Sequence, residues 1–578
     1  MPEPVDEKEW AESIGFPQLH DPFIQKYYQS RDALIEQENK QRSDHWFREN
    51  LSPAAREACA IVDQIRFEEQ QTLWTRDYED SLGQGEGDIY PGMMFMLAKE
   101  RMEKQSKLWS IVKKMPKGTL LHCHLQAMVD VEWLVREALE TGCLFFSSPG
   151  KLSTAKERVK GPLNFVFQPG ETDLSSDKSI WTAEYTPNSV VPASAAADSF
   201  PEGGRDGFVA WLVDRGTVTP QESLLHHHGL NEIWRKFTST FLVLGNLAFY
   251  EPIYRKFLQK FWAELVEDGV QYVDMRSTFV SPFLCEGKNE PEKGYSELFR
   301  ITQEELDKFK SSDVGKDFWG ARFIWTTIRS FDKYAVVDSM KECIEIKKQY
   351  PELLAGYDLV GQEDPGRTLD DLTPELFWFR KSCAEQGLDV PFFFHAGETN
   401  SSGGATDHNL FDAIALGTRR IGHGFSLFKH PLLIDLVKNK KILIETCPIS
   451  NEILRLTASI LQHPLPALLA QGVPASLCND DPAILGQGAS GMTHDFWQAL
   501  QGWENLGLAG LGSLAENSVR WAAFDDCDAK EWQKQLREGA MGTGVRAERL
   551  KEWMVKWERF CQWIVDEYGV DENTDPAE

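Results

Sequence analysis

The chain has 578 residues, enough for a large core and for more than one folded unit. Its 89 acidic residues outnumber 61 basic ones, for a net charge of −28, and no Lys/Arg cluster stands out, which argues against a nucleic-acid partner because phosphate neutralisation drives such binding. Nowhere do eighteen apolar residues run uninterrupted, and the stretch "MPEPVDEKEWAESIGF" shows no basic segment leading into an apolar one, so the expectation is a soluble, cytoplasmic chain without a membrane partner.

In chain order, residues 1–113 read as a helical region, carrying patterns such as "AREACAIVDQIRFEEQQTLW". At 114–142 an apolar run, "GTLLHCHL" (118–125), reads as the first strand of an α/β region. Residues 143–230 shift toward Ser, Pro, Gly and charge and predict an insertion, partly irregular. From 231 to 525 short apolar runs alternate with helical stretches: 270–278, 321–330, 354–361, 391–397, 420–425, 441–448 and 474–480. With the first strand these make eight, which points to an α/β fold built as a (β/α)₈ TIM barrel, with a doubly wound open sheet as the competing architecture. Residues 526–578 predict a Trp-rich helical region and an acidic tail. The ten cysteines show no C-x-x-C pairing and fit a reducing compartment better than a disulfide scaffold.

The chemistry sits at the predicted strand ends. Along a strand side chains alternate, so His122 and His124 point the same way and Cys123 the other. "HAGE" places His395 and Glu398 at the fifth strand end, "GHG" places His423 at the sixth, and "NDDP" places Asp480 and Asp481 at the eighth. In a barrel these ends face one pocket. Three imidazoles and a carboxylate suit one catalytic Zn²⁺ per chain, with His122, His124, His395 and Asp480 as ligands; such an ion lowers the pKa of its water to about 7. Glu398 is then placed to pass a proton to substrate, and His423 to orient or deprotonate the water. Taken singly, each signal has a blander reading, from a hydrogen-bonded core histidine to a helix cap at "DDP". Their agreement on four strand ends is what points to a metal hydrolase. "HHH" (226–228) reads as a surface run, because contiguous helical side chains splay apart. "GQGASG" (486–491) matches a dinucleotide fingerprint formally but lacks the acidic ribose ligand downstream.

In order and spacing, "MPKGTLLHCHLQA", "GYDLVGQE", "HAGE", "RIGHGF", "ETCPISN" and "SLCNDDP" resemble the adenosine deaminases of the metal-dependent amidohydrolase superfamily. The helical N-terminus and the insertion resemble the adenosine deaminase-related growth factor subfamily. The resemblance implies zinc on His122, His124, His395 and Asp480, protonation of purine N1 by Glu398, service to the attacking water by His423, a hydrogen bond from Asp481 to N7, and one from the Gly361 backbone N–H to N3. It implies a purine nucleoside as the small-molecule partner, hydrolysis of adenosine or 2′-deoxyadenosine to inosine or 2′-deoxyinosine plus ammonia, and a homodimer formed by the N-terminal helices.

Two departures bear on specificity and setting. The resemblance places an acidic residue directly after the second histidine or two residues beyond it, holding the ribose 5′-hydroxyl; here Leu125 and the uncharged Gln126 stand there. Cys143 is the single cysteine between 124 and 284, so the insertion cannot hold an internal disulfide. The alternatives are an aminohydrolase for AMP, for 5′-modified or for N6-substituted adenosine, with Arg276, Arg329 and Lys117 as the cations nearest the barrel for a phosphate, and a non-catalytic growth-factor-like binding protein.

Overall fold

The computed structural model describes residues 7–82, 94–169, 179–224 and 229–569. Eight strands carry the barrel: β1 (Gly118–His124), β2 (Val270–Thr278), β3 (Gly320–Ile328), β4 (Leu354–Val360), β5 (His395–Ala396), β6 (Arg420–His423), β7 (Leu443–Thr446) and β8 (Ala475–Leu477). They are buried almost throughout, as parallel strands covered by helices on the outside must be. Two parallel four-stranded sheets form, in the orders β1-β2-β3-β4 and β5-β6-β7-β8.

Backbone bridges at both seams close the two sheets into one barrel. At one seam the Tyr357 N–H donates to Pro391 O (2.9 Å) and the Phe393 N–H to Tyr357 O (3.0 Å). At the other, the His124 N–H donates to Asp480 O (3.0 Å) and the Asp480 N–H to His122 O (3.2 Å). The closed barrel, rather than the open sheet, is therefore the architecture. The fifth strand is shorter than the 391–397 expected. Pro391 has no N–H to give the ladder, and regular pairing is confined to His395 and Ala396.

The described residues of the insertion, 143–169, 179–224 and 229–230, include a small sheet and several helices. Leu144–Ser147 pairs antiparallel with Asn164–Phe167 on one side and Val191–Pro192 on the other. Against this small sheet, helix Gly204–Gly216 and the preceding loop bury Phe146, Trp181, Phe200 and Phe208. Ring centroids lie 5.3 Å apart for Phe146 and Phe165 and 5.0 Å for Trp181 and Phe200. These aromatics are scattered singly along the sequence, so no periodicity reveals them. The "HHH" run at 226–228 lies outside the described residues.

In the N-terminal region, α1 (Pro22–Asn39) buries none of its residues, whereas α2 (Pro53–Thr72) buries Ala55, Ala58, Val62 and Ile65 at helical spacing. Ser52 caps α2, its side chain accepting from the Ala55 N–H, and Pro53 occupies the first turn, where its missing N–H costs nothing. Two helices flank the C-terminal half of the barrel, α3 (Pro448–Ile453) directly after β7 and α4 (Gly491–Gly502) after β8. The last helix, α5 (Val545–Tyr568), packs on α2 and buries Trp553, Trp557, Phe560 and Ile564. All ten cysteines are free thiols, and no helix among the described residues is long and apolar enough to cross a membrane.

Candidate metal centre and active site

The barrel brings every predicted ligand to one mouth. His122 Nε2 and His124 Nε2 each lie 3.2 Å from Asp480 Oδ1. The His395 ring lies 4.5 Å from that of His122 and 5.4 Å from that of His124, centroid to centroid. His423 joins them, 4.8 Å from the His122 ring. Two of these residues hold left-handed backbone, His423 at φ +61° and Asp480 at φ +58°, a conformation that costs a non-glycine residue of order 1 kcal/mol or more and is kept where the surroundings fix it. Gly422 is glycine because of the site: a Cβ there would come within 2.8 Å of His122 Cε1.

Beneath the imidazoles lies a buried charge network that sequence reasoning missed. Glu445 Oε2 is 2.9 Å from His122 Nδ1, and Asp358 Oδ2 is 2.6 Å from His395 Nδ1. Arg276 joins the two carboxylates, donating to Asp358 at 2.8 Å and to Glu445 at 2.7 Å; Arg420 donates to Glu445 and, at 2.8 Å, to Asp274. Burial opposes the charge on Asp358 and Glu445. For Asp358, His395 and Arg276 outweigh it, and for Glu445, Arg276 and Arg420 do, so both stay well below the usual carboxylate range. The signal was a carboxylate inside a wholly buried strand, "LIET" and "LAGYDLV", which needs a partner to be there at all.

These second partners test whether the site fits a metal. Each carboxylate accepts a hydrogen bond from the Nδ1–H of its histidine and so leaves Nε2 as a bare lone pair. Ser450 Oγ donates to Asp480 Oδ2 at 2.7 Å, which leaves Asp480 Oδ1 as the free oxygen. His122 Nε2 and Asp480 Oδ1 are both buried without a hydrogen-bond partner among the described residues. Burial pushes the His395 imidazole down to about 3, against the pull of Asp358, so it is neutral as a ligand must be. This donor set fits a divalent ion of the zinc type.

The proton-handling residues surround that point. Glu398 is buried, its Oε1 3.5 Å from His423 Nε2, and its backbone N–H donates to Glu363 Oε1 at 2.7 Å. Burial, then the charges of Asp480 and Glu363, hold the Glu398 carboxyl well above the usual carboxylate range. Asp481 is buried with Oδ1 unpartnered, and burial and Asp480 hold it up in the same way. His423 Nδ1 faces the Asn451 side-chain amide at 3.2 Å, and the other end of that amide lies 3.0 Å from His463 Nε2. Sequence reasoning missed Glu363, Ser450, Asn451 and His463. The first three lie inside the motifs "GYDLVGQE" and "ETCPISN", which marked them as places but gave no role.

Gly361 follows β4 directly with φ +103°, a turn that glycine accepts freely. Gln126, just beyond β1, is buried and donates from Nε2 to Ser277 Oγ and Thr278 O, both at 3.2 Å, at the end of β2. Of the cations weighed for a phosphate, Arg276 is consumed by the charge network. Lys117 lies at the opposite end of β1, donating to Val112 O and Asp268 O at 2.8 Å. Arg329 Nη2 donates to Leu359 O and His395 O, and its Nη1 lies 3.8 Å from Glu363.

Comparison with known proteins agrees with this geometry. Residues 219–538 match the family model described as "Adenosine deaminase". The chain is 31% identical over 480 residues to "Adenosine deaminase 2-A" of Danio rerio, covering 82% of this chain and 85% of that one. It is 30% identical over 462 residues to "Adenosine deaminase 2" of Homo sapiens, covering 78% and 84%. With "Adenosine deaminase 2" of Dictyostelium discoideum it shares 27% identity over 549 residues, covering 95% of this chain and 89% of that one.

Proposed function

The chain belongs to the adenosine deaminase family and is an enzyme acting on adenosine-like substrates, and from that premise we propose zinc-dependent hydrolysis of adenosine and 2′-deoxyadenosine to inosine and 2′-deoxyinosine with release of ammonia. The observation that supports it most is the convergence of His122 Nε2 and His124 Nε2 on the bare Asp480 Oδ1, with Glu398 facing the same point. One ion would be held by His122, His124, His395 and Asp480. What zinc supplies in such a site is a water acidified to near neutrality, the nucleophile that replaces the amino group at C6.

The chain's own residues handle the rest. Glu398, held protonated by burial, donates to purine N1 as C6 becomes tetrahedral, which offsets the negative charge that attack places on the ring. Asp481 presents its unpartnered carboxyl to N7, and the Gly361 N–H meets N3, so three contacts fix the purine plane. His423 faces the attacking water.

Adenosine is favoured over AMP because Arg276 and Lys117 are spoken for, and Arg329, the one of the three at the strand ends, is buried with Glu363 3.8 Å from its Nη1 to offset its charge. A second reading, a 5′-modified adenosine such as 5′-methylthioadenosine, draws support from Gln126, which brings no charge to a 5′-hydroxyl. Steady-state kinetics on adenosine, 5′-methylthioadenosine and AMP decide among them. We expect kcat/KM to be highest for adenosine, and a value for AMP equal to or above it would overturn the choice.

A homodimer formed through the N-terminal helices is part of the same proposal. It is supported by α1, which exposes Phe23, Tyr27 and Leu34 and buries nothing. Light scattering should give twice the 65.8 kDa chain mass, and Phe23→Glu with Leu34→Glu should halve it; a monomeric wild type would refute it.

A further inference from the structure

His423 differs from the metal-facing histidines in what holds its Nδ1. A chain of hydrogen bonds starting at a backbone group settles where its proton lies. The Leu465 N–H, which can only donate, points at His463 Nδ1 at 3.1 Å. That nitrogen therefore accepts and carries no proton, so His463 is neutral with its hydrogen on Nε2. His463 Nε2–H, 3.0 Å from Asn451 Oδ1, donates to it. With its oxygen fixed toward His463, Asn451 turns its NH₂ to His423 Nδ1 at 3.2 Å and donates there. His423 Nδ1 is then an acceptor, and in the neutral ring the remaining hydrogen sits on Nε2. That nitrogen faces two carboxyl oxygens, Glu398 Oε1 at 3.5 Å and Asp480 Oδ2 at 3.8 Å, and is buried without a hydrogen-bond partner among the described residues.

We propose that Asn451 and His463 are positioning residues that lock the ring proton of His423 on Nε2, so that His423 enters the reaction as a hydrogen-bond donor and is neither a metal ligand nor a base. This rests on the deaminase reading of the site and assigns within it a role that ring positions alone leave open: His122, His395, His423 and Asp480 all lie close enough to share an ion. The buried carboxylates under His122 and His395 accept a hydrogen bond from Nδ1–H and free Nε2 for metal, whereas the amide under His423 donates to Nδ1 and leaves the hydrogen on Nε2. The Nε2–H thus supplies a fixed positive edge where oxygen gathers charge during attack. Burial pushes the His463 imidazole down to about 3, in keeping with the neutral ring the hydrogen bonds require.

The test inverts the relay. In Asn451→Asp a group of the same shape can only accept, so it accepts hydrogen bonds from His463 Nε2–H and from His423 Nδ1–H, which moves the His423 ring hydrogen from Nε2 to Nδ1 or makes the ring doubly protonated. Long-range ¹H–¹⁵N spectra of the zinc-loaded protein, with His423 assigned by loss of its signals in His423→Gln, should show the Nε2–H form in the wild type and a protonated Nδ1 in Asn451→Asp. The variant should keep its zinc and lose kcat on the order of 10²–10⁴-fold with KM little changed, as expected for a histidine forced into the wrong tautomer. His463→Gln, which can still accept from Leu465 and donate to Asn451, should stay within about tenfold of wild type, a rescue that tests the relay even if Asn451→Asp fails to fold. A wild-type His423 protonated on Nδ1, or Asn451→Asp turnover at or above wild type, would overturn the proposal. An Nε2–H spectrum from a zinc-loaded protein inert toward adenosine would uphold the relay and sink the deaminase reading instead.

Discussion

The mouth of the barrel has two walls built from the same side chain to different ends. On the first, His122 and His395 rest on Glu445 and Asp358, negative groups held charged by Arg276 and Arg420. On the second, His423 rests on Asn451, a neutral amide whose direction is set by His463 and a backbone N–H. A carboxylate beneath an imidazole makes it a lone-pair donor, and an amide N–H beneath it makes it a proton donor. The role of a histidine here is decided one layer below it.

Removing the point where the walls meet should have the largest effect. Asp480→Ala takes away the oxygen shared by His122 and His124; zinc content should fall far below one per chain and activity should drop beyond the ~10⁴-fold that a single acid/base residue is worth. Elemental analysis of the purified variant checks this, and full occupancy would show the ligand set to be wrong. Glu398→Gln leaves the metal in place and removes the proton source, so zinc should remain while kcat falls by ~10²–10⁴-fold. Glu398 must be protonated to act and its pKa is raised by burial, Asp480 and Glu363, so wild-type turnover should be present on the acid side of that pKa and be lost as pH rises through it. The residual rate of the variant should lack that alkaline limb.

Weakening the layer beneath the first wall should cost less. Glu445→Gln still offers an oxygen to His122 Nδ1 but no charge, and zinc affinity measured by chelator competition should fall by ~10–100-fold. Gln126→Asp lies outside both walls and should act on selectivity alone, improving the adenosine to 5′-methylthioadenosine ratio in kcat/KM by roughly tenfold through a charge-assisted hydrogen bond to the 5′-hydroxyl. An unchanged ratio would remove Gln126 from ribose recognition.

The smallest effect on catalysis belongs to Glu452, next to Asn451 on α3. It accepts from the Phe95 N–H at 2.6 Å and from Gln498 at 3.0 Å, tying the N-terminal region to the second wall. Burial, opposed by those two bonds, raises its carboxyl from 4.5 to about 8. The folded state therefore binds a proton that the unfolded chain has released between those values. The resulting stability is complete below pH 4.5 and is lost as pH rises toward 8. Denaturant titrations of Glu452→Gln should show a flatter pH dependence than wild type across that window, with turnover unchanged.

What the sequence disclosed obeys the same division. His122, His124, His395 and Asp480 were legible because strand alternation and barrel topology fix where strand-end side chains point, whatever lies beneath them. Asp358 and Glu445 were half legible: a carboxylate in a buried strand demands a partner, but naming Arg276 and Arg420 requires knowing which strands are neighbours across the barrel. That His423 serves the water was legible, but which of its ring nitrogens carries the hydrogen was not. That choice depends on Leu465, His463 and Asn451, joined by hydrogen bonds whose directions no spacing encodes. The packing of the insertion's described residues was hidden for a related reason, since Phe146, Trp181 and Phe208 meet only once the chain has folded back on itself.

The most direct test of the whole account is the conversion of adenosine to inosine, followed by the fall in absorbance, on the metal-loaded protein, on the same protein after chelation, and again after zinc is restored. The account predicts turnover that disappears with the metal and returns with zinc at one ion per chain. Undiminished turnover in protein shown by elemental analysis to be metal-free, or a zinc-loaded protein inert toward adenosine, would contradict it.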